Sequence, residues 1–323
     1  MDILISEDLQ SPALERLAKQ FSVQRDGKLW EDPARLQAEI QNARVLIVRN
    51  QTQVTAKIME AAPKLIGIGR VGVGLDNIDV NTATKLGIVV VAPLNANAVS
   101  VAELAFGLIL ALARKVPEGD RSTKAGGWDR RGFTGIELDG KTLGICGFGR
   151  IGGMVAARAK AFGMKLMVYD PVLKADSPAV VASGATYCAQ LEELLGNSDF
   201  VSLHLPLVPA TKKLFNAKMF AAMKPGSFFI NTSRGGVMDE TDLIAALLNK
   251  HLAGAALDVR EMEPPGTKGV LETLPNVVLM PHVGAFTIEA QKRTFEAVAD
   301  DMEHLLKGQP AANFVNIAQP NRK

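Results

Sequence analysis

Cysteine is scarce in this sequence: only Cys146 and Cys188 occur among 323 residues. Neither belongs to a CxxC pair or to a spacing typical of metal ligands, which excludes a zinc-binding or disulfide framework. We therefore predict no metal site, and we expect both cysteines to be small residues of the hydrophobic core.

Long apolar runs and an excess of one charge are also absent. The longest apolar stretch, residues 101–113, contains Glu103 and is too short to span a bilayer. With 36 basic and 34 acidic residues, the net charge of +2 does not indicate a nucleic acid or a membrane surface as a partner. No secretory signal precedes the strand-like run Ile3–Ile5, so we expect a cytoplasmic protein whose cationic sites are local clusters.

The sequence does contain a repeated alternation of strand and helix patterns. A chain of 323 residues is long for a single core, so we expect two domains. Alternating strands and helices predict a parallel sheet covered on both faces. In the N-terminal part, strands are predicted at Ile3–Ile5, Val45–Val48, 65–68 and Val89–Val91, and helices at 11–20, 33–42 and 55–62.

Residues 97–114 form a long helical pattern that is apolar around most of its circumference. Such a helix must be buried nearly all round, so we expect it to cross between domains or to form a subunit interface. The polar, glycine-containing segment 124–133 predicts an extended arm. Its Trp128 has no evident partner in that segment and is expected to dock on another surface.

A second series of strands and helices begins after Gly140. Six strands joined by crossover helices would complete a doubly wound sheet. Because this series is complete by about residue 283, the last helix, predicted at 288–307, and the extended tail 313–316 are expected to return to the first domain. The six strands are predicted at Thr142–Cys146, Lys165–Tyr169, 200–204, 227–230, Gly254–Leu257 and 277–280.

The predicted fold class is therefore α/β, with two doubly wound parallel-sheet domains. Residues 1–97 and 284–323 are predicted to form a flavodoxin-like domain, and residues 98–283 a Rossmann-type domain. We expect a cleft between the domains, which the chain crosses twice.

A glycine-rich motif, G-x-G-x-x-G, follows the predicted strand Thr142–Cys146 and opens a helical pattern. Gly147 permits a tight turn, Gly149 lets the backbone approach a pyrophosphate, and Gly152 allows close packing of helix and strand. The phosphates then meet the N–H groups of a helix N-terminus. In this context the motif predicts a dinucleotide-binding site. Residues 98–283 are therefore expected to be the cofactor domain, and residues 1–97 and 284–323 the substrate domain.

The charge at the end of the next strand indicates which dinucleotide binds. Asp170 ends the predicted strand Lys165–Tyr169, where a carboxylate accepts hydrogen bonds from the adenosine ribose and repels a 2′-phosphate. We therefore predict NAD rather than NADP. Lys174, a nearby cation that would oppose this preference, is expected to be solvated surface.

Four ionisable residues follow predicted strands of the second series: Arg234, Asp258, Glu263 and His282. Ligands bind at the carboxyl ends of strands in open α/β sheets, so these side chains are expected at one edge. A histidine exchanges a proton near neutral pH, a carboxylate bonded to it stabilises the imidazolium, and an arginine fork holds a substrate carboxylate. We predict hydride transfer between a nicotinamide and C2 of a small 2-hydroxy or 2-oxo acid.

Each of these residues also has a structural interpretation. An isolated histidine is more often a satisfied structural residue, and an isolated arginine more often pairs at the surface. Their joint placement after a dinucleotide motif is what favours catalysis. His204 is expected to line the cofactor cleft without catalysing, while His251 and His304 lie in helical patterns and are expected to be structural or exposed.

Together these segments resemble the D-isomer-specific 2-hydroxyacid dehydrogenase family from end to end. The matching segments are VGVGLDNID (71–79), SVAE (100–103), the glycine motif (147–152), SLHLP (202–206), INTSRG (230–235), AALDV (255–259), EP (263–264) and PH (281–282). The resemblance implies a catalytic trio of Arg234, Glu263 and His282. It also implies a homodimer formed through the cofactor domains.

The resemblance and the motifs also assign ligand contacts. Backbone N–H groups around Val73 and Gly74 are expected to hold the substrate carboxylate. Cofactor contacts are expected from Val73, Gly147, Gly149, Arg150, Ile151, Gly152, Asp170, His204, Leu205, Pro206, Thr232, Ser233, Asp258, Gly284 and Ala285.

Three arginines indicate which acid is the substrate. Arg49 and Arg70 end predicted strands, and Arg130 lies on the predicted arm. A doubly charged phosphate needs several such donors. Their positions resemble the phosphate-recognising arginines of the branch of the family that oxidises 3-phosphoglycerate, so we predict 3-phosphoglycerate and phosphohydroxypyruvate as the substrate pair. The alternative is that these arginines pair with carboxylates.

Two departures from that branch leave other functions open. The chain stops near the end of the catalytic core, so appended regulatory domains and feedback control by serine are not expected. Arg260 stands where the family usually has an aromatic residue; it either serves another anionic substrate, such as a sulfonate, or pairs with Glu261. The competing hypotheses are a hydroxypyruvate or glyoxylate reductase, a sulfolactate-type dehydrogenase, and an NAD-sensing binding protein like the corepressors that share this fold.

Overall fold

The computed structural model describes residues 1–322 and divides into two compact units. Unit 1 contains Met1–Asn97 and the chain from Ala285 onward, and unit 2 contains Ala98–Gly284. Each unit is built on a parallel sheet, so the predicted α/β class is confirmed. Within residues 1–322, none of the helices combines the length and the apolar character needed to cross a membrane.

Both sheets are entirely parallel among the described residues. The sheet of unit 1 has the strand order β2-β1-β3-β4-β5, and that of unit 2 has the order β12-β11-β10-β9-β6-β7-β8. The strands are β1 (Ile3–Ile5), β2 (Val23–Arg25), β3 (Val45–Val48), β4 (Gly67–Arg70), β5 (Val89–Val91), β6 (Thr142–Cys146), β7 (Lys165–Tyr169), β8 (Thr186–Tyr187), β9 (Phe200–Leu203), β10 (Phe228–Asn231), β11 (Gly254–Leu257) and β12 (Val277–Leu279).

The helices connect these strands in the manner of crossover units. They are α1 (Pro12–Ala18), α2 (Pro33–Glu39), α3 (Ala56–Glu60), α4 (Val80–Lys85), α5 (Ala98–Ala113), α6 (Val116–Lys124), α7 (Arg150–Ala161), α8 (Pro178–Ser183), α9 (Leu191–Asn197), α10 (Ala217–Ala222), α11 (Glu240–Leu248) and α12 (Ile288–Leu306).

The core of unit 1 covers both faces of its sheet. Ile3 and Val45 belong to the cluster on one face, while Leu4 and Leu46 belong to the cluster on the other. Every position of β1 and β3 is buried, as expected for parallel strands with helices on both faces. The short edge strand β2 is largely exposed and carries no apolar run, which is why the sequence did not predict it.

Helix α12 returns to the sheet of unit 1 and packs closely on β4. A side chain at Gly69 would place its Cβ 2.8 Å from Val298, a residue of α12. Glycine in β4 therefore permits the close packing that directs the end of this strand, Arg70, and the loop after it.

The sheet of unit 2 reverses its strand order at β6, which lies between β7 and β9. Such a switch point leaves a crevice at the carboxyl ends of the two diverging strands, where ligands of α/β proteins bind. Gly147 follows β6, and His204 follows β9. The edge strand β8 is a seventh strand, beyond the six predicted; it has two residues and gives too short a pattern to detect.

A further helix lies between α5 and the predicted extended arm, residues 124–133, and overlaps that arm only at Lys124. Residues 116–124 form α6, which has no buried residue and therefore no apolar periodicity to reveal it. Trp128 lies in the loop that follows, and 82% of it is exposed.

Candidate active site

His282 and Glu263 form a direct pair in unit 2. The imidazole Nδ1 of His282 lies 2.5 Å from Oε2 of Glu263. Their side chains are 45% and 34% exposed, respectively, so the pair is accessible to a small molecule. A carboxylate at Nδ1 fixes the ring tautomer and leaves Nε2 to exchange a proton.

The backbone that carries His282 is held by Asp258, at the end of β11. The two carboxylate oxygens of Asp258 each accept a hydrogen bond of 2.8 Å, from the N–H groups of Val283 and Gly284. His282 has a φ of 54°, a left-handed conformation that few non-glycine residues adopt. Burial raises the pKa of Asp258, and the two N–H groups oppose that rise. The predicted contact of Asp258 with a cofactor stays a prediction.

The second oxygen of Glu263 is also held. Oε1 accepts the backbone N–H of Arg260 at 2.9 Å. Burial alone would raise the pKa of Glu263, but hydrogen bonds from His282 and from the Arg260 N–H outweigh it, and the pKa falls below its ordinary value. Glu263 is therefore a carboxylate at neutral pH, as stabilisation of an imidazolium requires.

Arg234 follows β10 and is directed by Asn231, the fully buried last residue of that strand. The Asn231 amide donates to the Arg234 carbonyl at 3.0 Å, and its Oδ1 accepts both the N–H and the hydroxyl of Ser233. The charge of Arg234 contributes to the lowered pKa of Glu263. Unit 2 thus brings together the three residues predicted to be catalytic.

The glycine loop has the close contacts that the motif predicts. Gly147 has a φ of 92°, and a Cβ there would lie 2.7 Å from the His204 carbonyl. A Cβ on Gly152 would lie 2.3 Å from the Gly147 carbonyl. A Cβ on Gly149, by contrast, would meet no described atom within 4 Å, so this glycine leaves open space in front of α7. No side chain caps that helix, and its first N–H groups remain available for an anion.

Other polar groups at this edge fit a bound dinucleotide. The hydroxyl of Thr232 and Nδ1 of His204 are buried and have no hydrogen-bond partner within residues 1–322, which indicates a missing polar ligand. Asp170 accepts the N–H groups of Phe148 and Val172, each at 2.8 Å, and so joins the end of β7 to the glycine loop. The residues present therefore fit NAD.

The remaining predicted cofactor residues are divided between the units. Arg150, Ile151, Leu205, Pro206, Ser233 and Gly284 lie in unit 2, whereas Val73 and Ala285 lie in unit 1.

His204 predicts a pH-dependent stability. Burial lowers the pKa of His204 to about 4, from an ordinary value of 6.5. Between these values the unfolded chain binds a proton that the folded chain excludes, so stability is lost as pH falls from about 7 to 5, by about 2 kcal/mol. Urea unfolding of the ligand-free protein at both pH values, followed by circular dichroism, measures the difference. His204→Gln should reduce this loss of stability, and the control His251→Gln should not. If His204→Gln loses as much stability between the two pH values as the unsubstituted protein does, His204 is not the cause.

In unit 1, the buried carboxylate of Glu7 organises the loop after β3. Its oxygens accept backbone N–H groups from Arg49, Asn50, Gln51 and Thr52 at 2.8–3.3 Å. Glu7 carries no local signal in the sequence, because its partners lie more than forty residues away in the chain.

The side chain of Arg49 is also held in place. Its guanidinium lies 4.3 Å from the centre of the Phe286 ring and donates to Gln291 at 3.0 Å. Burial lowers the pKa of Arg49, and the charge of Glu7 opposes this effect. These contacts do not support the alternative that Arg49 pairs with a carboxylate side chain. Both partners of its guanidinium, Phe286 and Gln291, are uncharged.

The other predicted substrate residues lie as follows. Val48 pairs in register with Arg70, so Arg49 and Arg70 follow neighbouring strands at the same edge of the unit 1 sheet. The Arg70 guanidinium folds over Gly72 and donates to the Val71 carbonyl at 3.3 Å, next to the loop containing Val73 and Gly74. Arg130 is exposed and belongs to unit 2.

Glu7→Gln should destabilise unit 1. An amide can accept through only one oxygen and presents its NH₂ group to backbone donors, so we expect a loss of about 2–4 kcal/mol. Urea unfolding followed by the fluorescence of Trp30, in unit 1, measures it. The exposed Glu15→Gln is the control and should change stability by less than about 1 kcal/mol. Equal midpoints for the two variants would show that the Glu7 hydrogen bonds do not stabilise this loop.

Of the two alternatives left open for Arg260, a contact with an anionic substrate and an ion pair with Glu261, the ion pair is not formed. Its guanidinium makes two contacts of 3.0 Å with Glu240 and one of 2.5 Å with Glu272, and only 14% of its side chain is exposed. Glu261 pairs instead with Lys213 at 2.9 Å. Arg260 pairs with Glu240 and Glu272 and not with Glu261, because the tertiary fold places those two carboxylates around its planar guanidinium.

Comparison with known proteins identifies the family of this chain. Residues 106–284 match the model of "D-isomer specific 2-hydroxyacid dehydrogenase, NAD binding domain". The chain is 44% identical over 317 residues to a D-3-phosphoglycerate dehydrogenase of Methanocaldococcus jannaschii, covering 98% of this chain and 59% of that protein. The chain therefore spans about three fifths of the length of the curated relatives it matches.

Solved structures of two enzymes are similar over nearly the whole chain. D-lactate dehydrogenase from Aquifex aeolicus, complexed with NAD and lactic acid, has a TM-score of 0.86 and 30% identity, covering 98% of this chain and 99% of its own. An NADPH-dependent glyoxylate/hydroxypyruvate reductase from Sinorhizobium meliloti has a TM-score of 0.88 and 29% identity, covering 100% and 99%. On the match of its NAD-binding domain, which includes the residues around His282, the chain belongs to the D-isomer-specific 2-hydroxyacid dehydrogenase family.

Proposed function

We propose that this chain is an NAD-dependent dehydrogenase that interconverts a small D-2-hydroxy acid and its 2-oxo acid. The observation that carries the proposal is the His282–Glu263 pair next to Arg234, at the carboxyl edge of a sheet that also carries the glycine loop. These are the proton-transfer group, its charge partner and the anion-binding group that the reaction needs.

Unit 2 has the groups to hold the dinucleotide. The N–H groups at the start of α7 would bind the pyrophosphate, Asp170 the adenosine ribose, and Thr232 a further polar group. When bound, NAD would supply the hydride acceptor for C2 of the hydroxy acid, and NADH the hydride donor for the oxo acid.

The side chains of the chain carry out the rest of the reaction. In oxidation, Nε2 of His282 accepts the hydroxyl proton; in reduction, it donates a proton to the carbonyl oxygen. Glu263 stabilises the imidazolium and keeps the ring oriented through Nδ1. Arg234 binds the substrate carboxylate and carbonyl oxygen through its planar donors. The backbone N–H groups of Val73 and Gly74, in unit 1, are proposed as further carboxylate-binding groups.

We propose 3-phosphoglycerate and phosphohydroxypyruvate as the substrate pair. The support is the identity to D-3-phosphoglycerate dehydrogenases and the pair Arg49 and Arg70 at one sheet edge, with Arg130 as a third candidate. Hydroxypyruvate or glyoxylate is the second candidate, since the similar reductase is named for these acids.

A panel of 2-oxo acids tests both the dehydrogenase activity and the preference for a substrate that carries a phosphate. Phosphohydroxypyruvate, hydroxypyruvate, glyoxylate and sulfopyruvate are compared by the decrease in NADH absorbance. The phosphate proposal requires the highest kcat/KM with phosphohydroxypyruvate. Equal values with and without the phosphate would overturn it, and no turnover with any acid would overturn the dehydrogenase assignment in favour of NAD sensing.

Asp170 is expected to set the preference for NAD. Its carboxylate would lie against a 2′-phosphate, and like charges at such contact cost several kcal/mol. Asp170→Asn removes the charge and keeps one of the two oxygens that accept the N–H groups of Phe148 and Val172, so the preference for NADH over NADPH should narrow by about tenfold or more. Kinetics with both cofactors measure this change. An unaltered ratio would show that another group excludes NADP.

We further propose that the protein is a homodimer of the cytoplasm, formed through its NAD-binding units. The exposed Phe162 lies beside Phe106, Gly107 and Leu110 of α5 in an open apolar depression, and Trp128 is exposed nearby in sequence. Light scattering measures the oligomeric state. Phe162→Glu should yield monomers if this apolar surface is the dimer interface, and an unchanged dimer would exclude this surface as the interface.

A further inference from the structure

Arg260 contacts two parts of the proposed catalytic site, Glu263 and the segment that carries Arg234. Its backbone N–H donates to Glu263 at 2.9 Å, and Glu263 in turn contacts His282. Its carbonyl lies so close to Gly235 that a Cβ there would be only 1.8 Å away. Gly235 directly follows Arg234. The backbone of Arg260 therefore contacts Glu263 and the residue next to Arg234, and it is linked to His282 through Glu263.

The side chain of Arg260 fixes that backbone from the outside. Glu240, at the start of α11, grips the guanidinium through both carboxylate oxygens and also accepts the N–H of Glu261 at 2.5 Å. Glu272 holds the remaining side of the guanidinium. We call Arg260, Glu240 and Glu272 the arginine clamp.

The charges of the clamp make it a strong restraint. The side chains of Glu240 and Glu272 are 17% and 21% exposed, so their mutual repulsion is only weakly screened unless Arg260 lies between them. The hydrogen bond from Arg260 holds the pKa of Glu272 below its ordinary value, so this carboxylate stays charged. All three guanidinium nitrogens donate to Glu240 or Glu272 and only 14% of the side chain is exposed, so we assign Arg260 to the clamp and not to the substrate.

We propose that Arg260 is a positioning residue: the arginine clamp fixes the 258–263 segment so that Glu263 meets Nδ1 of His282. This inference rests on the proposed function for its catalytic consequence, although the geometry can be tested without turnover. A displacement of reacting groups by about 1 Å can cost about 100-fold in rate, so a restraint on Glu263 has a measurable effect.

The test uses four variants of the whole chain. Arg260→Met keeps the length of the side chain but removes its charge and donors, and Arg260→Lys keeps the charge. Glu240→Gln removes the charge of the carboxylate that binds the Arg260 guanidinium through both oxygens. The control is Lys224→Met, which breaks a 2.8 Å ion pair with Asp199. Asp199 directly precedes β9, at the edge of the sheet opposite to the site.

The first readout is spectroscopic and needs no cofactor or substrate. The Nδ1–H proton of His282 bonded to Glu263 should give a low-field proton resonance, assigned by its loss in His282→Asn. We expect this resonance in the unsubstituted protein and in Lys224→Met, and its loss or broadening in Arg260→Met and Glu240→Gln. Its absence from the unsubstituted protein, or its persistence in a folded Arg260→Met, overturns the proposal.

The second readout is the kinetic pattern. In Arg260→Met, kcat should fall about 10- to 100-fold with KM for NADH unchanged, and the pH profile should shift because Glu263 no longer stabilises the imidazolium as well. Arg260→Lys should recover part of the rate. If Arg260→Met does not fold, Arg260→Lys and Glu240→Gln decide through the same readouts, and unchanged values in both count against the clamp. If the unsubstituted protein turns over no 2-oxo acid, the proposed function fails, while the resonance still decides the role of Arg260.

Discussion

His282→Asn should reduce kcat by about 10²- to 10⁴-fold, the range expected when a general acid–base is removed. Asparagine is the appropriate replacement because it tolerates the left-handed backbone that His282 adopts, with a φ of 54°. It can still contact Glu263 but cannot exchange a proton near neutral pH. Steady-state turnover of NADH with the best 2-oxo acid measures the loss.

The same variant should bind NADH as the unsubstituted protein does. The proposed cofactor groups are the glycine loop, Asp170 and Thr232, none of which the substitution alters. Fluorescence titration with NADH measures this affinity, and His304→Asn, in the last turn of α12, serves as the control for both measurements. Turnover near that of the unsubstituted protein would remove His282 from the mechanism. A loss of NADH binding equal to the loss of turnover would assign it to the cofactor site instead.

Arg234→Lys should reduce kcat/KM for the 2-oxo acid by about 10²- to 10³-fold, although the charge is retained. A lysine cannot present the planar, two-pronged donor set that a carboxylate and its adjacent carbonyl require. Each charge-assisted hydrogen bond contributes about 1.5–3 kcal/mol, so the loss of one or two accounts for this range. Initial rates at varied 2-oxo acid and saturating NADH give the value.

The comparison with Arg234→Met separates the two roles of this residue. Methionine removes the charge as well as the geometry, so its activity should be lower than that of Arg234→Lys. In Arg234→Met the pKa of Glu263 should also rise, because the charge of Arg234 helps to hold it down. Arg158→Lys, whose side chain forms an ion pair with Glu103 on the surface of unit 2, is the control and should leave kcat/KM unchanged. Equal kcat/KM for Arg234→Lys and the unsubstituted protein would exclude a bidentate contact with substrate.

Most of the fold was predicted from regular patterns of apolar residues along the chain. The strands at Ile3–Ile5, Val45–Val48 and Thr142–Cys146 were predicted with their observed bounds, because buried parallel strands are continuous apolar runs. Elements without such a run were not predicted: β8 has two residues, and α6 buries none of its side chains. Their formation depends on neighbouring elements that a local window does not contain.

The sequence also indicated the principal site residues, but not the residues that hold them. A glycine spacing and polar residues at strand ends are local signals, and they identified Gly147, Gly149, Gly152 and His282. Asn231 carried no such signal, although it directs Arg234. The expected partner of Arg260 was its neighbour Glu261, and the observed partners are Glu240 and Glu272.

The sequence by itself determined the two parallel-sheet domains, the dinucleotide motif and the identities of the candidate histidine, its carboxylate partner and the arginine, because each depends on periodicity or on spacing within a short segment. Only the tertiary structure decided that Glu7 holds the Arg49 loop and that Glu240 grips Arg260. These contacts join residues about twenty and more than forty positions apart. Hydrogen bonds depend on distances of about 3 Å, which the packing of helices and strands sets and which order along the chain does not encode.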